Sequence, residues 1–111
     1  MSDRIIQINS LLQKKLAEIF SQELEFPIEF FVTITQVSTA PDLKTACARI
    51  SVLPFNKSQD ALAFIIRHKG LIQKELGKVI KMKFTPKIHF RIDDTQERVS
   101  TINEIIDQAN N

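Results

Sequence analysis

Residues 60–81 carry a helical pattern that no single straight helix can satisfy. At about 3.6 residues per turn, Ile65, Ile72, Leu76 and Val79 fall on one side, and Arg67, Gly70, Lys74, Lys78 and Lys81 on the other. In that register Lys69 points into the apolar side and Leu71 into the basic side. Burying an unpaired ammonium costs on the order of several kcal/mol. The segment is therefore expected to break at His68-Lys69-Gly70 and continue as a second helix. Glycine tolerates such a backbone and costs about 1 kcal/mol relative to alanine inside a helix. One reading makes Gly70 an ordinary C-cap between two packed helices. Another makes it a site without a side chain, where a nucleic-acid phosphate meets the N–H groups that open the second helix.

The break lies inside the most basic part of the chain. From Arg67 to Arg91 there are eight Lys/Arg (Arg67, Lys69, Lys74, Lys78, Lys81, Lys83, Lys87, Arg91) and one acid, Glu75. The other residues hold seven bases and twelve acids, so a net charge of +2 conceals a block of +7. A cationic surface so concentrated points to a phosphate-bearing partner. Lys74 and Lys78, one helical turn apart, extend the track beyond the break.

The flanking pattern supplies the rest of a small fold. Ile5, Ile8, Leu12, Leu16 and Ile19 recur in steps of three and four, which predicts an amphipathic helix over about Arg4 to Gln22. Phe30 to Ser38 is rich in β-branched and aromatic residues and reads as a strand. After a turn at Pro41-Asp42, a second strand places Ala46, Ala48, Ile50 and Val52 on one face and Thr45, Cys47, Arg49 and Ser51 on the other. Pro54 ends it, and Asn56 or Ser58 is expected to cap a helix carrying Ala61, Leu62, Ile65 and Ile66. The helix after Gly70 carries Ile72, Leu76, Val79 and Ile80. Pro86 introduces a third strand, with Ile88, Phe90 and Ile92 inward and Lys87, His89 and Arg91 outward. A last helix is expected from Asp93-Asp94-Thr95, with Asp94 and Glu97 at capping-box spacing and a stripe of Val99, Ile102, Ile106 and Ala109. Helices covering one face of a three-stranded sheet make a two-layer α+β architecture, read as one domain over residues 1–111.

Several chemistries find little support. One cysteine, Cys47, cannot form an internal disulfide, which fits a reducing compartment. Met1-Ser2-Asp3-Arg4 does not resemble a secretion signal, and the longest apolar run, Ala61 to Ile66, is far short of a bilayer span of roughly 20 residues. Cys47 with His68 or His89 lacks a surrounding catalytic motif, and these three residues have no zinc-ligand spacing. Asp93-Asp94 reads better as a helix-capping pair than as a metal site. Most of the eight phenylalanines fall at core positions; Phe55 and Phe84, near element ends, are the candidates for base stacking. Arg49, Lys87, His89 and Arg91 either keep the outer sheet face soluble or widen the basic surface.

The order of elements around the break resembles a type II KH domain, and in particular the ribosome-binding factor A family. The matching residues are Arg4 with its helix, Val37-Ser38-x-x-x-Asp42-Leu43-x-x-Ala46 running on to Ile50-Ser51-Val52, Gly70 with Ile72, and Pro86-x-Ile88-x-Phe90-x-x-Asp93. There is no Gly-x-x-Gly loop. His68-Lys69-Gly70 stands where the family has Ala-x-Gly, and Gln73 where it commonly has arginine. The resemblance implies a cytoplasmic factor that binds immature small ribosomal subunits and 16S-type rRNA. It also implies help in maturing the rRNA 5′ end, notably in the cold, with no nuclease activity, cofactor or metal of its own. The expected RNA-contact residues are Arg67, His68, Lys69, Gly70, Lys74, Lys78, Lys81, Lys83, Lys87 and Arg91, on a monomer. Two other readings remain open from the residues. One is a protein-interaction adaptor using the basic surface or a sheet edge; the other is a generic single-stranded nucleic-acid binder.

Overall fold

The first apolar stripe forms α1, Asp3–Glu23, in a computed structural model that describes residues 3–95. Ile8, Leu12, Leu16, Ile19 and Phe20 are its buried residues. Leu12 and Leu16 are fully enclosed, and burying each contributes about 2 kcal/mol. Two polar residues on α1 also serve the sheet: the Asn9 side chain accepts from the Thr39 N–H at 2.8 Å, and the Gln13 amide donates to the Ile34 carbonyl at 3.1 Å.

The strands are β1, Phe31–Thr39, β2, Thr45–Leu53, and β3, Lys87–Ile92. β2 is central, antiparallel to β1 and parallel to β3. The period-2 reading of β2 and β3 holds: Ala46, Ala48, Ile50, Val52 and Ile88 are buried, while Lys87, His89 and Arg91 are exposed. In β1 a bulge between Ile34 and Gln36 resets the alternation, so Ile34 and Val37 both face the core although three residues apart. A parallel β2–β3 pair needs a crossover. Here it consists of a short 3-10 turn, Phe55–Lys57, then α2, Ser58–Arg67, and α3, Lys69–Val79.

Four expectations are corrected. Neither Asn56 nor Ser58 caps α2; its N-cap is Lys57, without a side-chain bond, and the Ser58 hydroxyl donates to the Phe55 carbonyl at 2.6 Å. Ile66 and Val79 are exposed, whereas Ile80 is buried as expected and Phe64 joins the core; Ile66 lies about 100° round α2 from Ile65, which turns it away from the buried side. Gly70 does not end a helix: it is the second residue of α3 and has no positive φ. The break is His68, at φ −100 and ψ 11, a conformation open to any residue. Nor does the break bury Leu71, which stays exposed, while Lys69 is half-buried. The expected last helix lies outside the described residues, apart from its opening at Asp93–Thr95.

Candidate nucleic-acid interface

His68 shows how the break is held. Its Nδ1 lies 2.8 Å from the Phe64 carbonyl, and its ring packs on the Phe64 ring at 4.3 Å between centroids. Only a donor can face a carbonyl, so Nδ1 carries the proton. The same carbonyl also accepts the His68 backbone N–H at 3.3 Å, so the imidazole adds a second bond there, at the end of α2. It is half-buried and works inside the protein.

Gly70, two residues on, is exposed, and a Cβ built there would meet nothing within 4 Å. The protein itself therefore does not require glycine at this position. Lys74 and Lys78 follow on the exposed side of α3. Lys78 shares its charge with Glu75 at 3.2 Å, a surface pair worth less than about 1 kcal/mol.

Gln73 spans α3 and β3. Its amide donates to the Pro86 carbonyl at 2.9 Å and accepts from the Ile88 N–H at 3.1 Å. Both backbone groups belong to buried residues, so the amide replaces two strand-like hydrogen bonds. An arginine, with donors only, could not accept from Ile88.

The ten candidate residues form three groups rather than one surface. Arg67, His68, Lys69, Gly70, Lys74 and Lys78 belong to α2, the break and α3. Lys81 and Lys83 lie beyond α3, in the loop to β3, where they line a cleft with Arg4 and Lys44. Lys87 and Arg91 occupy the outer sheet face, beside Thr45 and Arg49 on β2. Sequence reasoning did not single out Arg4 and Lys44 as cleft residues, since nothing in their spacing links them to Lys81.

Among the phenylalanines, Phe20, Phe30 and Phe64 are buried, and Phe26 and Phe90 pack against the core. Phe84 is 75% exposed, and Phe31 is also largely exposed; the sequence pattern singled out only Phe84 of these two. At the sheet end, the Asp93 carboxylate accepts from the Thr35 hydroxyl at 2.6 Å and from the Thr95 N–H at 3.0 Å. The Thr35 bond, followed by those from Thr95, holds the Asp93 carboxyl down to about 2. Among the described residues, no group of three or more His, Cys, Asp or Glu could hold a metal, and no helix is long and apolar enough to cross a membrane.

A mixed three-stranded sheet with helices on one face, and a helix–break–helix between β2 and β3, defines a type II KH-like fold. The model of the family described as ribosome-binding factor A matches residues 4–106, and the chain belongs to that family. A relative of that name from Opitutus terrae is 30% identical over 97% of this chain and 88% of its own. The crystal structure of ribosome-binding factor A from Thermus thermophilus aligns with a TM-score of 0.71 at 22% identity, over 79% of this chain and 93% of that one. A homology model of the Thermus thermophilus factor, fitted into a cryo-EM map of its 30S complex, aligns with a TM-score of 0.66 at 22% identity. That alignment covers 77% of this chain and 90% of the other.

Proposed function

We propose that this chain is an assembly factor for the small ribosomal subunit. It binds immature subunits through 16S-type rRNA and assists late maturation of the 5′ end without cleaving RNA itself. In this reading it acts in the cytoplasm, as one domain and as a monomer, and is needed most at low temperature. RNA contact is centred on the break, with Lys69, Gly70, Lys74 and Lys78 foremost and Arg67, Lys81 and Lys83 adding charge, while Lys87 and Arg91 on the outer sheet face meet a separate part of the rRNA. The observation that carries the reading is an open glycine beside exposed lysines, in a chain of the ribosome-binding factor A family.

The test uses Lys74→Glu combined with Lys78→Glu. Both side chains are exposed, so the fold should survive. Binding to small subunits should be lost, and the fall of log K with log salt, roughly −0.7 per neutralised phosphate on a single strand, should flatten. Unchanged sedimentation of the folded double mutant with small subunits would sink the idea. If instead an acidic protein stays bound when rRNA is added at physiological salt, the chain is an adaptor.

A further inference from the structure

A second site emerges from the loop that follows α3. The Lys87 N–H bonds to the Lys44 carbonyl at 2.9 Å, and Gln73 fixes Pro86 and Ile88. Together these bonds bring the loop 80–86 against the β1–β2 turn. The result is a cleft of about 370 Å³ whose lining includes Arg4, Lys44, Lys81 and Lys83 against a single acid, Asp42. That volume lies within the range of small-ligand sites, roughly 300–1,000 Å³. Asp42 is engaged by its own turn, where its carboxylate accepts from the Lys44 N–H at 3.0 Å.

Leu43 and Met82 supply the apolar part of the lining, and both pack against the core. Leu43 takes φ 64, which is uncommon for a bulky residue and marks a position held by its surroundings. Phe84 completes the cleft with a ring that remains three-quarters exposed, and the Lys83 ammonium lies 5.6 Å from its centroid. An isolated exposed phenylalanine would need no explanation. An exposed aromatic face surrounded by cations from three separate segments matches the two halves of a nucleotide, a flat base and an anionic backbone.

We propose that this cleft takes one unstacked base of a single RNA strand on Phe84, with the adjoining phosphates on Lys44, Lys81 and Lys83. The inference rests on the reading of the chain as an rRNA-binding factor and adds a base-stacking site separate from α3.

The test is fluorescence anisotropy of the full chain with a labelled single-stranded RNA of about ten nucleotides. The same strand made abasic throughout is the second probe. Phe84→Ala and Phe84→Leu should each weaken binding to the intact strand at least about fivefold, the lower end of a base–aromatic stack. Neither should alter binding to the abasic strand or the salt slope. Lys81→Ala with Lys83→Ala should weaken both probes and reduce the slope by about 1.4. Phe84 is exposed, so thermal melts of its variants should match the parent and confirm folding. Unchanged binding of Phe84→Ala, equal losses on both strands, or failure of the parent to bind the intact strand would each overturn the site. Sedimentation of Phe84→Ala and of the α3 double mutant with small subunits keeps the two claims apart, because only the second measurement bears on the function proposed above.

Discussion

Gly70→Ala separates what the protein needs from what a partner needs. The glycine is helical, exposed and without positive φ, and an added Cβ would meet no atom within 4 Å. Within the protein, alanine therefore brings only its helix preference and the reduced freedom of its unfolded state. Gly→Ala at compatible sites stabilises by about 0.4–1 kcal/mol. Gly70 sits in the first turn of α3, so the lower half of that range applies, about 0.5 kcal/mol. For a domain of this size that raises Tm by roughly 2–4 °C. Binding should move the other way. If a phosphate approaches the backbone at Gly70, a methyl group displaces it and weakens a charge-assisted hydrogen bond. A loss of about 1.5 kcal/mol corresponds to roughly tenfold in affinity. Gly77→Ala is the control: it gives α3 the same helical preference, but its Cβ would face Thr85 Oγ1 at an ordinary 3.8 Å. Melting curves and titrations of small subunits with both variants decide the matter. A lower Tm for Gly70→Ala would refute the packing argument, and a higher Tm with parental affinity would refute close approach at the break.

Gln73→Ala should destabilise by about 2–3 kcal/mol, because it leaves the N–H of Ile88 and the carbonyl of Pro86 without their partner in a buried setting. Urea denaturation should show a lower midpoint at unchanged slope, and a loss under about 0.5 kcal/mol would contradict the proposed bridge. Asp93 predicts an acid dependence. Its carboxyl is lowered from 3.8 to about 2, chiefly by the Thr35 hydroxyl, so the folded state favours the carboxylate. The resulting stability is present above about pH 4 and fades as the pH falls towards 2. At about 1.4 kcal/mol per tenfold the shift is worth at most about 2.5 kcal/mol, and solvent screening leaves about 1 kcal/mol. Thr35→Val should remove most of that stability at pH 7 and flatten the curve between pH 4 and 2 in stepwise urea titrations. An acid slope identical to the parent's would count against the Thr35–Asp93 bond.

Where a period runs unbroken over many residues, the fold was readable from sequence. The stripe from Ile8 to Ile19 and the alternation from Thr45 to Val52 each allow one buried face, and each is buried as expected. β1 was harder because the bulge at Thr35 interrupts its period, and a bulge leaves no local signature in Ile34-Thr35-Gln36. The conflict of Lys69 with Leu71 located the break to within two residues but attached it to glycine, the common helix terminator. The backbone at His68 needs no glycine, and His68 closes α2 with its N–H on the Phe64 and Ile65 carbonyls and an added bond from its imidazole to Phe64. Ile66 and Val79 were misplaced because apolar character alone does not assign a face: Ile66 sits about 100° round α2 from buried Ile65, and Val79 is the last residue of α3. The partners of Gln73 lie on another element, and Arg4 meets Lys81 only through the fold, so neither relation exists in the sequence as a spacing.

His68 and Gln73, where the resemblance leads one to expect alanine and arginine, both make bonds within the protein. That narrows what α3 offers a partner to Lys69, Gly70, Lys74 and Lys78. The narrowing has a measurable consequence, because only cations facing the same strand add to its salt dependence. Three α3 lysines neutralise about three phosphates and give a slope on the order of −2. A strand that also enters the cleft at Lys44, Lys81 and Lys83 gives a slope on the order of −4. Lys87 and Arg91 project from the sheet face opposite Ile88 and the helices, so one strand cannot reach them without leaving α3. Alanine substitution of both should therefore leave the slope for a short single strand unchanged, even though they belong to the same basic block in the sequence.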